Sequence, residues 1–159
     1  MLDLSGDGFR VLFEAEWVHR AVGERVPAAT EQVWGPVRGA SELAEWAAAW
    51  DPVHASVFRA ELLDDDAVTV LGGRVGNELV CGAVVHCDAD VVGISNVFGL
   101  GVPADELWAG SLRAVARRWP NHAIVGYEQG DDLAAAIQNG CAPIGPLRVW
   151  GAVEPERGE

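Results

Sequence analysis

The stretch Glu78–Gly101, ELVCGAVVHCDADVVGISNVFGLG, restricts the possible fold more than any other. It holds two apolar runs, Leu79–Cys87 and Val91–Phe98, parted by Asp88-Ala89-Asp90. Val and Ile dominate the runs and Asp-Ala-Asp is turn material, so the pattern predicts a β-hairpin. A hairpin with one face in water alternates apolar and polar residues, and these runs hardly do. Both faces must therefore be covered, which sets the hairpin at the centre of a sheet with helices on each side. The second run ends in Ser95-Asn96-Val97-Phe98-Gly99-Leu100-Gly101. Polar residues inside an apolar strand, followed by glycines and the start of a helix, mark this junction as a candidate ligand site.

The other segments supply the rest of a mixed sheet. Leu12, Ala15 and Val18 fall at helical spacing, which predicts an N-terminal helix over about 7–22. Thr30–Val37 reads as a short strand, confined to an edge or strand end by Pro36. A helix follows from Ser41, with Leu43, Trp46, Ala47 and Trp50 in one stripe and Asp51-Pro52 as its stop. Val57, Ala60 and Leu63 suit a second short helix, and Ala67–Val75 a strand before the central hairpin. Beyond Gly101, Pro103 suits a helix's first turn, and Trp108, Leu112, Val115 and Trp119 form its buried stripe. Arg113, Arg117 and Arg118 load its C-terminal half, where cations offset the helix dipole. A strand at Ala123–Tyr127, a short helix closed by Gly140, a strand at Ile144–Val153 and a tail over about 152–159 complete the chain. The expectation is an α/β fold: one domain over residues 1–159, with a single mixed sheet flanked by helices.

Charge and cysteine usage narrow the function. The net charge is −13, and all eleven cations are arginine. Such a surface repels nucleic acid and anionic membranes, so neither is expected as a partner. No apolar run reaches the roughly 18 residues that span a bilayer, and the acidic start MLDLSGDGFRVLF has no positively charged leader. Three cysteines with no CxxC pair suit free thiols in a reducing cytoplasm. His86 near Asp88 and Asp90 lacks ligand spacing, and no metal is expected.

Taken together, the order β-α-α-β-β-β-α-β-α-β after an added N-terminal helix resembles the GNAT superfamily of acyl-CoA-dependent N-acyltransferases. Three stretches carry the likeness: the hairpin Glu78–Phe98, the strand-to-helix junction Asn96–Leu107, and the closing segment Ala134–Trp150, AAAIQNGCAPIGPLRVW. It spans about residues 30–150. The resemblance implies that two parallel strands, Val91–Phe98 and Ala123–Tyr127, splay apart to admit the pantetheine of acetyl-CoA or another acyl-CoA. It implies a pyrophosphate site at the Gly99-Leu100-Gly101 turn. Three positions depart from the family pattern. Asn96 stands where Arg or Gln is usual, Pro103 removes one N–H donor from the loop, and Ala136 stands where a Tyr general acid is common.

The resemblance also assigns candidate residues. Val97, Phe98, Gly99 and Gly101 would hold the cofactor through their backbone. Ser95 and Asn96 would meet the acceptor or thioester, with Trp46 and Trp50 walling the acceptor pocket. Tyr127 and Glu128 end the second parallel strand, and either could carry a proton. Two functional readings follow. One is an N-acyltransferase moving an acyl group from CoA to the amine of a small molecule or peptide, as a monomer or homodimer. The other is a degenerate domain of the same fold that binds a ligand or protein partner, or hosts different chemistry.

Overall fold

The computed structural model describes residues 3–153. Seven strands form one mixed sheet: β1 (Phe9–Arg20), β2 (Val33–Pro36), β3 (Val68–Val75), β4 (Glu78–Asp88), β5 (Val91–Gly99), β6 (Ala123–Glu128) and β7 (Ala142–Ala152). Three α-helices cover it: α1 (Ala40–Trp50), α2 (Ala104–Arg118) and α3 (Gly130–Gln138). The strand order is β2-β3-β4-β5-β6-β1-β7, with β5 and β6 the parallel neighbours. The tail beyond Val153 lies outside the described residues.

The central hairpin forms as its composition requires. Ala83, Val85, Val92 and Ile94 pack toward α2 and α3, against Trp108, Leu112, Val115, Ala135 and Ala136. Val70, Leu79, Val84 and Phe98 pack toward α1, against Leu43, Trp46 and Ala47. Two apolar faces between two helical layers explain why neither strand alternates. Ala89, at φ 48°, makes the tight turn between β4 and β5.

The expected N-terminal helix over 7–22 is instead the strand β1. It inserts between β6 and β7, antiparallel to both. The helical spacing reflects burial on both faces of the strand and a bulge at Leu12. Register shifts fall between Val11 and Phe13 and between Trp17 and Val18. The extra residue at Trp17/Val18 is Ile144 on β7, so β1 itself runs on unbroken from Phe13 to Arg20, and buried Ala15 and buried Val18 lie three residues apart on opposite faces, while Leu12 is 51% exposed. Burial on both faces of one strand imitates a period of three to four over so short a window. The expected helix over Val57–Leu63 is likewise absent. Two 3-10 turns, Ala55–Val57 and Ala60–Asp64, take its place.

The helix boundaries follow from end chemistry. Gly140, at φ 95°, closes α3: its N–H donates to the Ile137 carbonyl and the Cys141 N–H to the Ala136 carbonyl. That pair of bonds satisfies two otherwise orphaned carbonyls. Trp108 Nε1 donates to Asp132 Oδ1 at 3.2 Å, tying α2 to α3 beneath the sheet's C-terminal edge.

Candidate functional site

The site is built by a parallel pair that pairs only at its start. β5 and β6 are in register at Val91/Ala123, Val92/Ile124 and Gly93/Val125, and there the pairing stops. The cause lies on the other side of β5. Val84 faces Ser95 and Gly82 faces Phe98, so Asn96 and Val97 together oppose Ala83 alone. This bulge bends β5 away from β6. Asn96 sits at φ 51°, in the left-handed region that Asn tolerates better than most side chains. Backbone geometry thus accounts for Asn96 at the position where the resemblance implies Arg or Gln. Its Oδ1 accepts a hydrogen bond from Ser95 Oγ at 3.0 Å.

After the bulge, β5 runs to the N-terminus of α2. Phe98 turns toward α1, and its ring meets Trp46 edge-on at 5.2 Å. Leu100 N–H donates to the Val80 carbonyl at 2.7 Å, so this donor is occupied. Gly99 has Val102 and Leu107 within contact distance of where a Cβ would stand, and Gly101 turns the chain at φ 71° into open space. Pro103 is the N-cap of α2 and makes no side-chain cap bond. The first-turn N–H groups of α2 are left to an anion or solvent. Asp105 and Glu106 stand in that turn, however, and Asn139 Nδ2 holds Asp105 Oδ1 at 2.9 Å. Residues 96–106 contain no cation. The end of β5–β6 pairing and the glycine turn lie where the resemblance places the pantetheine arm of an acyl-CoA. The turn fits its phosphates less well, because two carboxylates share the helix end that would hold them.

Tyr127 and Glu128 end β6 and point to opposite faces of the sheet. The Tyr127 ring packs edge-on to Trp17 at 5.5 Å and stacks on Phe13 at 6.4 Å. Glu128 is half-buried on the α3 side. Burial, reinforced by the nearby Asp132 carboxylate and opposed by the Gln129 N–H, pushes its carboxyl up to about 7. The surrounding cleft of about 380 Å³ includes Glu14, Glu16, Gln129, Leu133 and Leu147. A carboxyl poised near neutrality among other carboxylates can take a proton from a cationic amine.

Trp46, expected to wall an acceptor pocket, is instead sealed in the core. Trp46 is 0% exposed, and its Nε1 donates to the Leu71 carbonyl at 2.8 Å. It is a core residue that backs Phe98. The stripe that suggested a pocket wall is the buried face of α1, as i, i+4 aromatic spacing more often is. Trp50, partly buried, meets Phe58 edge-on at 5.0 Å. Ala136 is buried in the core, so α3 carries no proton donor at that position. Among the described residues, no group of three or more His, Cys, Asp and Glu is disposed to hold a metal, and no helix is long and apolar enough to cross a membrane. The raised value of Glu128 escaped sequence reasoning, because its burial comes from strands distant in the chain.

The architecture has clear structural counterparts. A GCN5-related N-acetyltransferase from Kribbella flavida superposes with a TM-score of 0.68 at 19% identity, covering 97% of this chain and 63% of that one. A functionally unknown conserved protein from Staphylococcus epidermidis gives a TM-score of 0.74 at 11% identity, covering 92% and 66%. A GCN5-related N-acetyltransferase from Sphaerobacter thermophilus gives 0.63 at 11% identity, covering 96% and 55%. This chain therefore has the GNAT fold, and it spans less than two thirds of the length of these structures. No protein-family model and no curated protein sequence matches it.

Proposed function

We propose that the chain is an N-acyltransferase domain that moves an acyl group from acyl-CoA to the amine of a small molecule or peptide. The observation that carries this reading is the end of β5–β6 pairing past Gly93 and Val125; Glu128, whose carboxyl is pushed up to about 7, ends β6 beside it in a cleft lined by β1, α3 and β7. Backbone at Val97, Phe98 and Gly99 would line the pantetheine arm, and Gly101 with the uncapped turn of α2 would meet the pyrophosphate. Bound acyl-CoA supplies an activated acyl thioester. Glu128 takes the proton that an ammonium acceptor must lose before it can attack. Glu16 beside it favours a cationic acceptor, while Glu14 is paired with Arg148. Tyr127, on the other face of β6, is a second proton-carrying group at the same strand end, and Ser95 and Asn96 give the gap its polar contacts. The low cysteine count and absence of CxxC pairs fit a cytoplasmic setting, as a monomer or homodimer.

A second reading rests on Asp105, Glu106, Pro103 and Ala136: a domain of this fold that binds a ligand or partner without acyl transfer. Release of CoA thiol from acetyl-CoA, followed with a set of diamines and N-terminal peptides as acceptors, separates the two. Amine-dependent release that falls at least tenfold in Glu128→Gln supports transfer, a loss within the range of general-base removal. Acetyl-CoA binding with no release for any amine selects the second reading.

A further inference from the structure

A second cleft, of about 470 Å³, lies at the β2 edge of the sheet, between β2, the segment leading into it and the outer face of α2. Gln32, Trp34, Leu71, Arg113, Arg117 and Arg118 are among its walls. Two independent features single it out.

The first is a pair of buried polar atoms that lack partners. Gln32 is 9% exposed and its Oε1 accepts no hydrogen bond, while Trp34 Nε1 donates none. Buried groups of this kind are normally satisfied. Here the residues that carry the orphan acceptor and the orphan donor both line the cleft. Gly110 makes the arrangement possible, because a Cβ there would collide with the Trp34 indole nitrogen and Thr30 Oγ1.

The second feature is charge. The chain carries −13 overall, yet three arginines and no acidic residue line this cleft. Arg113 Nη1 donates to the Pro27 carbonyl at 2.8 Å, which fixes the segment forming the outer wall. Arg118 lies over the Trp119 ring at 5.0 Å. Among the described residues, none of the three arginines forms an ion pair.

We propose that this cleft binds a small organic anion. Its carboxylate or phosphate pairs with Arg117 and Arg118, and its apolar body lies along Trp34, Pro36 and Leu71. Its polar edge accepts from Trp34 Nε1 and donates to Gln32 Oε1. Guanidinium groups suit both head groups, since each offers paired donors to paired oxygens. The cleft is separate from the acyl-CoA gap, because Arg117 lies about 20 Å along α2 from the helix end that faces that gap, at 1.5 Å per residue.

The test uses the indole N–H resonance of Trp34 in a 1H–15N spectrum, assigned by its loss in Trp34→Phe. Indole-3-acetate and phenyl phosphate serve as anionic probes, and indole-3-acetamide as the neutral control. At least one anion should shift this resonance saturably with a Kd at or below about 1 mM. The anion that does so identifies the head group. Its affinity should fall about tenfold in Arg117→Gln/Arg118→Gln, the loss of one or two charge-assisted bonds, and stay unchanged in Arg148→Gln or with excess CoA present. The acetamide should bind correspondingly more weakly than the acetate. The proposal is overturned if neither anion moves the Trp34 resonance, or if the double variant, its thermal unfolding matching wild type, binds as tightly as wild type.

Discussion

Gly93 on β5 and Val125 on β6 form the last paired rung between the two parallel strands, and three residues further along β5 the chain passes through Asn96 at φ 51°. The bulge at Asn96 and the end of the ladder belong to one device. One extra residue against β4 turns β5 away from β6 and opens the gap. Asn96→Gly should keep the bulge and change stability by less than about 0.5 kcal/mol, since Gly enters the left-handed region freely. Asn96→Val should lose about 1–3 kcal/mol, the cost of a β-branched residue held in that region. Urea unfolding of the two variants measures the difference.

Glu128 ties stability to pH with a definite sign. Its carboxyl titrates near 7 when folded, against an ordinary value of 4.5. Between those values the folded state holds a proton that the unfolded chain has released. This group's contribution therefore favours folding below about pH 4.5 and is lost as pH rises through about 7. Glu128→Gln should remove that decline and leave the variant more stable than wild type at pH 8, by on the order of 1–3 kcal/mol. Chemical denaturation at pH 5 and pH 8 reads the effect. In the proposed reaction Glu128 acts deprotonated, so kcat/KM should climb through about pH 7 and lose that limb in the variant.

Trp46 and Gly82 are matched in shape. A Cβ on Gly82 would run into the Trp46 indole nitrogen and the Phe98 ring. Gly82→Ala should cost about 1–3 kcal/mol through overpacking. Trp46→Phe should cost about 1–3 kcal/mol by leaving the buried Leu71 carbonyl without its donor. Thermal unfolding compares the two.

How far the fold could be read follows from where each signal originates. The hairpin Glu78–Phe98 was legible because burial on both faces writes itself into composition. The α2 stripe was legible because Trp108, Leu112 and Val115 are all buried on one side. β1 was not, because residues on both its faces are buried, which hides the period of two, and its partners lie at the other end of the chain. Trp46 read as a pocket wall because a core stripe and a pocket stripe share one spacing. The junction Asn96–Gly101 drew notice as a possible site, but its reason for Asn, a positive φ at a bulge, exists only in three dimensions. The orphaned pair at Gln32 and Trp34 left no trace in local sequence, since satisfaction of a polar group depends on neighbours brought in by the fold.

The strand assignment of residues 9–20 has its own signature. Val18 is 1% exposed and Leu12 is 51% exposed, whereas a helix with Leu12, Ala15 and Val18 on one face would bury both. Val18→Ala should cost about 1–3 kcal/mol as a buried truncation, and Leu12→Ala should stay within about 0.5 kcal/mol as a surface change. Equal losses at the two positions would favour the helix.

The central claim, that the gap between β5 and β6 receives acyl-CoA, is tested most directly by thermal unfolding with and without acetyl-CoA, in wild type and in Gly101→Val. At about 100 times its Kd the ligand should stabilise the wild-type chain by roughly 2.7 kcal/mol. Gly101→Val puts a β-branched residue at φ 71° in the turn that leads into α2 and should abolish most of that shift. No stabilisation of the wild type by millimolar acetyl-CoA, or a shift retained in full by Gly101→Val, would contradict the account.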